Sequence, residues 1–300
     1  MKYNVALLKG GVNSEREVSL NTARACSYAL KEIGHKVFEI DIKDNLLEHL
    51  SKLNVEICFN ALHGSIGEDG SIQGLLNYLK LPYTHSGVVA SAIAMDKLAT
   101  RQMLNETDIV FPKTIELKID TEINPQNYNG AYVIKPKSGG SSVGVRIIKN
   151  KSSEKLSSSL WDNPKDLICE EYIDGKELTV GILDGVALCI TEIKTKNKSF
   201  YNYESKYLPG ESKHLIPAKI PTKIQKIALG WAELAFKKLG CRGVARVDFR
   251  YDPKTSILAM LELNTQPGMT DTSLIPEQAE YCGIQFNRLI SKLLEMARCD

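Results

Sequence analysis

Along the first third of the chain, apolar residues follow two alternating rhythms. Val5 to Leu8 is a short unbroken apolar run that stops at Gly10-Gly11, as a buried strand stops at a turn. A helical pattern then runs from about Glu17 to Ile33 and is closed by Gly34. Lys36 to Asp41 and Ile57 to Leu62 read as further buried strands, and Ile72 to Leu79 as a helix. Strands alternating with helices predict a parallel sheet with helices on both faces. Functional loops belong at the carboxyl ends of such strands. That rule singles out Gly10 to Glu17 and Leu62-His63-Gly64-Ser65-Ile66-Gly67-Glu68-Asp69-Gly70.

Leu81-Pro82-Tyr83 and Ser86-Gly87 punctuate the chain and predict a boundary near residue 88. Helical stretches follow, notably Asp96 to Thr107, and then the rhythm changes. From Ala131 the chain reads as short strands with tight turns: Ala131–Lys135, Val145–Ile148, Leu167–Ile173, Glu177–Leu183 and Val186–Ile193. Asp174-Gly175 and Asp184-Gly185 are hairpin signals, so the last three strands are expected to form an antiparallel meander. Lys194 to Ile216 is polar and tyrosine-rich without helical or strand period, which predicts a functional loop. A helix from about Thr222 to Leu239, strands near Gly243–Tyr251 and Ser256–Leu263, and a last helix from about Phe286 to Ala297 complete the chain. The expected class is α/β at the start and α+β overall. The expected division is 1–88, 89–176 and 177–300.

Composition narrows the function classes. Three hundred residues with 43% hydrophobic and 25% charged residues suit two or three packed subdomains. A formal net charge of +2 argues against a nucleic-acid binder driven by phosphate neutralisation. The seven cysteines (26, 58, 169, 189, 241, 282 and 299) are scattered with no Cys-x-x-Cys pair, which fits reduced thiols in a cytoplasmic chain. No signal peptide and no run of membrane-spanning length is apparent, so no membrane partner is expected.

The chemistry concentrates in two places. Lys137-Ser138-Gly139-Gly140-Ser141-Ser142-Val143-Gly144 lies between two predicted strands, so it is not a Walker A loop. Its glycines let backbone N–H groups approach phosphate oxygens, and Lys135-Pro136 places an ammonium beside it. On this run alone, a phosphate lid and a flexible hairpin tip both stand. Further on, Arg246 and Asp248 share one face of a strand, as do Glu262 and Asn264 on the next. If the strands are neighbours, two carboxylates and an amide oxygen converge, an oxygen-rich set suited to Mg²⁺. The competing reading is a buried Arg–Asp–Glu ion-pair network. Lid and cluster together favour nucleotide phosphoryl chemistry. Glu15, His63 and Lys97 are weak signals singly, strengthened by their place at loop ends.

At this point the motifs become recognisable. Gly10-Gly11-x-x-x-Glu15-Arg16-Glu17-Val18-Ser19-Leu20, Ala61-Leu62-His63-Gly64 with Gly67-Glu68-Asp69-Gly70, and Met95-Asp96-Lys97 are in order. So are Lys135-Pro136 with Gly140-Ser141-Ser142-Val143-Gly144, and Tyr203-Glu204-x-Lys206-Tyr207. Arg246-Val247-Asp248 and Glu262-Leu263-Asn264-Thr265-x-Pro267-Gly268-Met269-Thr270 with Ser273-Leu274 complete the series. From first strand to last helix, the chain resembles the D-alanine–D-alanine ligase family. The resemblance implies an N-terminal parallel-sheet domain followed by a two-domain ATP-grasp fold that clasps ATP. It implies that Lys97, Lys135, Glu170, Glu171, Ile173 and Glu177 line the nucleotide site and that Lys206 reaches the phosphates. Asp248, Glu262 and Asn264 are implied ligands of Mg²⁺ or Mn²⁺, two ions in all. Glu15 is implied to bind the ammonium of the first D-alanine, with Arg246 and the Gly268 N–H at the oxyanion. Ser273 and Leu274 are implied to meet the second substrate's carboxylate, with His63 flanking the substrates. Ser141, Tyr207 and Glu15 would form a hydrogen-bonded triad, and the protein would act as a homodimer in peptidoglycan precursor synthesis. Two places depart from the family's pattern: Val12-Asn13-Ser14 in the first loop, and Glu171 where many relatives carry lysine.

Rival readings differ in testable ways. A ligase of the same fold with D-lactate or D-serine as acceptor is the nearest. A nicotinamide-dependent dehydrogenase lacks support, because Gly10-Gly11 does not have Gly-x-Gly-x-x-Gly spacing. A non-catalytic nucleotide-binding module has no need for Arg246, Asp248, Glu262 and Asn264 together.

Overall fold

The computed structural model describes residues 2–116, 122–123, 130–140, 142–148, 156–157, 161, 163, 166–195, 212–270 and 272–300. It opens with β1 (Asn4–Lys9), α1 (Arg16–Glu32), β2 (Lys36–Asp41), α2 (Leu46–Lys52), β3 (Ile57–Asn60) and α3 (Ser71–Tyr78). The three strands form a parallel sheet in the order β2-β1-β3. Alternate residues of β1 enter two different cores. Val5 and Leu7 pack with Ala23, Cys26 and Leu30 of α1, while Ala6 and Leu8 pack with Leu50, Ile72 and Leu76. That is why the strand reads as a continuous apolar run: both faces are covered. The α1 side of the core is completed by Leu289, Ile290 and Leu293 from the far end of the chain.

Next come α4 (Val88–Met95) and α5 (Lys97–Met103). The pattern from Asp96 to Thr107 begins a helix as expected, but Asp96 itself is extended and caps it. The Asp96 carboxylate accepts from Leu98 N at 2.9 Å and Ala99 N at 3.1 Å. The following strands are β4 (Thr114–Glu116), β5 (Glu122–Ile123), β6 (Tyr132–Pro136), β7 (Arg146–Ile148), β8 (Leu156–Ser157) and β9 (Leu167–Glu171). Four of them make an antiparallel sheet in the order β4-β9-β6-β7, and β5 pairs with β8.

The last part holds β10 (Lys176–Leu183), β11 (Val186–Thr195), β12 (Ser212–Leu215), α6 (Thr222–Lys238), β13 (Val244–Asp252), β14 (Ile257–Asn264), α7 (Leu274–Tyr281) and α8 (Phe286–Glu295). Its sheet runs β12-β11-β10-β13-β14. The expected three-strand meander is therefore wrong at its first turn. Asp184-Gly185 does close a hairpin between β10 and β11, but β9 and β10 belong to different sheets. Asp174-Gly175 instead carries the chain across from one sheet to the other. Gly175 has φ +98°, and a Cβ there would sit 2.3 Å from the Tyr251 carbonyl oxygen, so the crossing requires glycine. Arg250 pins the crossing, donating from Nε to Ile173 O at 3.0 Å and from Nη2 to Gly175 O at 3.1 Å. The expected loop from Lys194 to Ile216 is strand at both margins, where β12 pairs antiparallel with the end of β11. This is an edge pairing rich in lysine, which hides a strand's hydrophobic period. The rest of that expected loop lies outside the described residues. Helix α6 packs Ile224, Ala228, Ala232 and Ala235 into the core over β10 and β13, whose residues Leu178, Val180, Val247 and Phe249 share it.

Candidate active site

A cleft lies between the sheet of β6 and β9 and the sheet of β10 and β13. Lys135, near the end of β6, enters it from one side, and Lys97, the first residue of α5, stands beside the glycine-rich run. The Lys97 ammonium donates to Gly139 O at 3.0 Å and pairs with Glu262 at 3.2 Å. The Lys135 ammonium pairs with Glu170 at 2.9 Å, and both side chains are nearly sealed from solvent. Burial pulls the Lys135 ammonium below the usual lysine range, Glu170 opposes the shift, and Lys97 adds to it. Glu170 is also gripped by Arg101 of α5, a residue the motifs did not single out. Backbone at Glu171 and Ile173 edges the cleft: Glu171 N is held by Lys113 O at 2.9 Å, and Ile173 O by Arg250. Glu177 pairs with Arg250 at 3.3 Å. At the tip, Gly139 has φ +116°, Ser142 φ +59° and Gly144 φ +73°, the last anchored by Trp161 Nε1 donating to Gly144 O at 2.6 Å.

The two strands of the oxygen cluster are neighbours. In the β13–β14 register Asp248 stands opposite Glu262 and Arg246 opposite Asn264. The Arg–Asp part of the ion-pair reading is present too, whereas Glu262 pairs with Lys97. Arg246 grips Asp248 with Nε at 2.9 Å and Nη2 at 2.7 Å, while Thr179 donates to the same carboxylate at 2.7 Å. The donor set fits a hard divalent ion: two carboxylates and an amide oxygen at the cleft floor, each carboxylate already balanced by a cation. Among the described residues no group of three histidine, cysteine, aspartate or glutamate side chains encloses a metal site. A cation here would therefore draw further ligands from phosphate oxygens and water, as Mg²⁺ does.

The parallel-sheet unit supplies the opposite wall. Glu15 precedes α1 and is 8% exposed, its carboxylate directed at two loops. A Cβ added at Gly64 would lie 2.2 Å from its Oε2, and one at Gly140 would lie 3.6 Å from its Oε1. The loop of Gly64 and the glycine-rich run thus meet at this one carboxylate. The unusual first loop is held by Asn13, which donates to His63 O at 2.8 Å and Ser65 O at 3.0 Å and accepts from Glu15 N at 3.0 Å. His63 is buried, with Nε2 3.0 Å from Thr22 Oγ1 and Nδ1 3.2 Å from Glu68 Oε1. Thr22 in turn accepts from Met269 N at 3.5 Å, beside Gly268. Ser273 caps the start of α7 in sequence, but its Oγ is taken by Thr270 N at 2.9 Å, and a Cβ at Gly268 would approach it to 2.9 Å. The Leu274 side chain packs against Ile193.

The structure brings Lys97, Lys135, Glu170, Glu171, Ile173, Glu177, Asp248 and Glu262 to one cleft, with Asn264 beside its floor. Glu15, His63, Gly268 and Ser273 line the adjoining wall through the contacts above. Ser141, Lys206 and Tyr207 lie outside the described residues, and with them the expected triad beyond Glu15. Arg101, Thr179, Asn13 and Gln266 were given no role from the sequence, because each acts through a partner far along the chain: Glu170, Asp248, His63 and Asn60.

Two antiparallel sheets that close lysines, a glycine-rich run and a carboxylate pair over one cleft define an ATP-grasp enzyme. Residues 42–86 match the family model for the D-ala D-ala ligase N-terminus, and residues 115–295 match that for the D-ala D-ala ligase C-terminus. The chain is 45% identical to a D-alanine–D-alanine ligase of Agrobacterium fabrum, covering 99% of this chain and 98% of that one. It is 44% identical to that of Dinoroseobacter shibae, covering 99% and 96%. The crystal structure of a D-alanine–D-alanine ligase from Bacillus anthracis complexed with ATP superposes with a TM-score of 0.82 at 28% identity, over 98% of this chain and 97% of that one. The chain belongs to the D-alanine–D-alanine ligase family.

Proposed function

We propose that the cleft joins two D-alanine molecules into D-alanyl-D-alanine at the expense of ATP, releasing ADP and phosphate. The observation that carries this reading is the meeting of Glu15 with Gly140, which sets an ammonium-binding carboxylate against a phosphate-binding run.

A carboxylate resists attack by an amine because its oxygen is a poor leaving group. The first D-alanine, its ammonium on Glu15, presents its carboxylate to the γ-phosphorus of ATP. A carboxylate oxygen forms the new P–O bond, the bond to ADP breaks, and an acyl phosphate results. Lys97, Lys135 and Lys206 neutralise phosphate charge during that transfer. Asp248, Glu262 and Asn264 would hold Mg²⁺ or Mn²⁺, two ions, which when bound add to the same neutralisation. The free amine of the second D-alanine then attacks the acyl carbon, its carboxylate directed by Ser273 and the Leu274 N–H. Arg246 and the Gly268 N–H face the oxyanion, phosphate leaves with the bonding pair, and a proton is released. Glu170, Glu171, Ile173 and Glu177 bind the rest of the nucleotide. His63 flanks the substrates, and Ser141, Tyr207 and Glu15 would make the hydrogen-bonded triad that the resemblance implies. Water must be excluded while the acyl phosphate exists, which is the task of the run from 137 to 144.

Residues 1–88 would serve substrate binding, 89–176 the lid and nucleotide, and 177–300 the cation and oxyanion. No helix among the described residues is long and apolar enough to cross a membrane. A cytoplasmic homodimer supplying peptidoglycan synthesis completes the proposal. Release of ADP with D-alanine, compared with L-alanine and D-lactate, tests it. ADP release that does not depend on D-alanine refutes it.

A further inference from the structure

One pair of buried amides joins the substrate-side loop to the loop after β14. Gln266 lies two residues beyond Asn264 and two before Gly268, and is 2% exposed. Its side chain crosses to the end of β3, where Nε2 donates to Asn60 O at 2.5 Å and Oε1 accepts from Asn60 Nδ2 at 3.3 Å. Asn60 is 1% exposed and controls the start of the substrate-side loop. Its Oδ1 accepts from Leu62 N at 3.1 Å, and its Nδ2 donates to Gly67 O at 3.0 Å. On the other side, the backbone N–H of Gln266 donates to Asn264 Oδ1 at 2.7 Å. An unbroken chain of hydrogen bonds therefore runs from Leu62 and Gly67, through Asn60 and Gln266, to the amide oxygen at the cleft floor.

We propose that Gln266 is a positioning residue, which through Asn60 sets Asn264 and Gly268 in register with the loop of His63 and Glu68. Two directional bonds between buried amides fix both distance and orientation, whereas an apolar side chain of the same size fixes only volume. The two ends of the reaction, where phosphate charge is neutralised and where the first substrate is seated, are thereby held as one body. This rests on the functional reading above, which gives Asn264 to the cation and residues 62–70 to the substrate.

Gln266→Met keeps length and bulk and removes both amide bonds. Binding of Mn²⁺ in the presence of a non-hydrolysable ATP analogue, followed by electron paramagnetic resonance, should weaken about 10-fold. The KM for D-alanine should rise by a similar factor, while binding of the ATP analogue without divalent cation stays within about twofold. In the unaltered protein, Mn²⁺ with the analogue should slow amide exchange at Leu62, across the interface from the cation. A folded Gln266→Met with unchanged Mn²⁺ affinity overturns the proposal, as does unchanged exchange at Leu62. If the variant does not fold, the exchange measurement decides alone. If the unaltered protein binds Mn²⁺ but makes no D-alanyl-D-alanine, the substrate assignment fails, and the Mn²⁺ and exchange arms still decide the coupling.

Discussion

The two walls of the cleft are built by different physics. Around Glu15 and His63 the side chains are fixed by hydrogen bonds to loops and to one another: Asn13 to His63 O, His63 to Thr22 and Glu68, Asn60 to Gly67. Around the cleft floor they are fixed by ion pairs: Lys97 with Glu262, Lys135 with Glu170, Arg246 with Asp248. A hydrogen-bonded frame is complete before a substrate arrives and needs only to stay put. An ion-paired floor holds its ammonium, guanidinium and carboxylate groups in place by mutual neutralisation. Its charges are costly to bury alone, so each is balanced in advance. The frame sets geometry and the floor supplies charge.

Substitutions at the floor are therefore expected to hit turnover hardest. Asp248→Asn and Glu262→Gln should lower kcat by a factor on the order of 10³ while circular dichroism shows the fold intact. Unchanged kcat at saturating Mg²⁺ in both would make the pair structural. Arg246→Met should cost roughly 10²-fold in kcat with ATP binding retained; a change confined to the KM for ATP would remove it from the oxyanion.

The frame should answer in stability instead. His63→Leu removes both imidazole bonds and leaves Glu68 buried, which should cost about 1–3 kcal/mol and lower Tm accordingly. Unaltered Tm by calorimetry would mean that the histidine is not part of a pre-built frame. The glycine-rich run sharpens the contrast further, since the proposed function gives its N–H groups to phosphate oxygens. Hydrogen exchange at Gly139, Gly140 and Ser142 should slow on adding an ATP analogue, while α1 stays unchanged. Equal protection in both states would assign the run to the rigid frame.

The remaining contrast concerns pH. His85 is buried against the edge of Phe59, and burial first, with His63 adding, pushes its imidazole down to about 3. The folded chain thus refuses a proton that the unfolded chain takes up near its ordinary value of 6.5. Stability present above that value is lost as pH falls from there toward 3. Asparagine tolerates the left-handed backbone that His85 adopts at φ +72°. His85→Asn should therefore flatten Tm between pH 6.5 and 4 relative to the parent, and parallel curves would contradict the assignment.

Much of this site could be read before the structure because its residues act through strand periodicity. Two-residue spacing in Arg246/Asp248 and Glu262/Asn264 put each pair on one face, and antiparallel pairing did the rest. The meander failed for the converse reason. Asp174-Gly175 has the composition of a tight turn, yet a turn residue cannot say which strand its neighbours will pair with. β9 pairs with β6 over five residues, and that choice is made by contacts far along the chain. Arg101, Asn13 and Gln266 escaped notice for a related cause. Each is defined by a partner, Glu170, His63 or Asn60, that only folding brings near.

The passage from β9 to β10 also has a mechanical side. In the β6–β9 pairing, Tyr132 lies opposite Glu171 and Pro136 opposite Leu167, so the glycine-rich run and the crossing at Tyr172–Gly175 sit at opposite ends of the sheet. Any rocking of one sheet against the other turns about the end that Arg250 pins. Displacement grows with distance from a fulcrum. The cleft's width is then set most firmly beside Ile173 and least firmly beside Gly140. A compound shaped to the Ile173 end would meet walls remote from the glycine-rich run, and substitutions in that run should leave its grip intact.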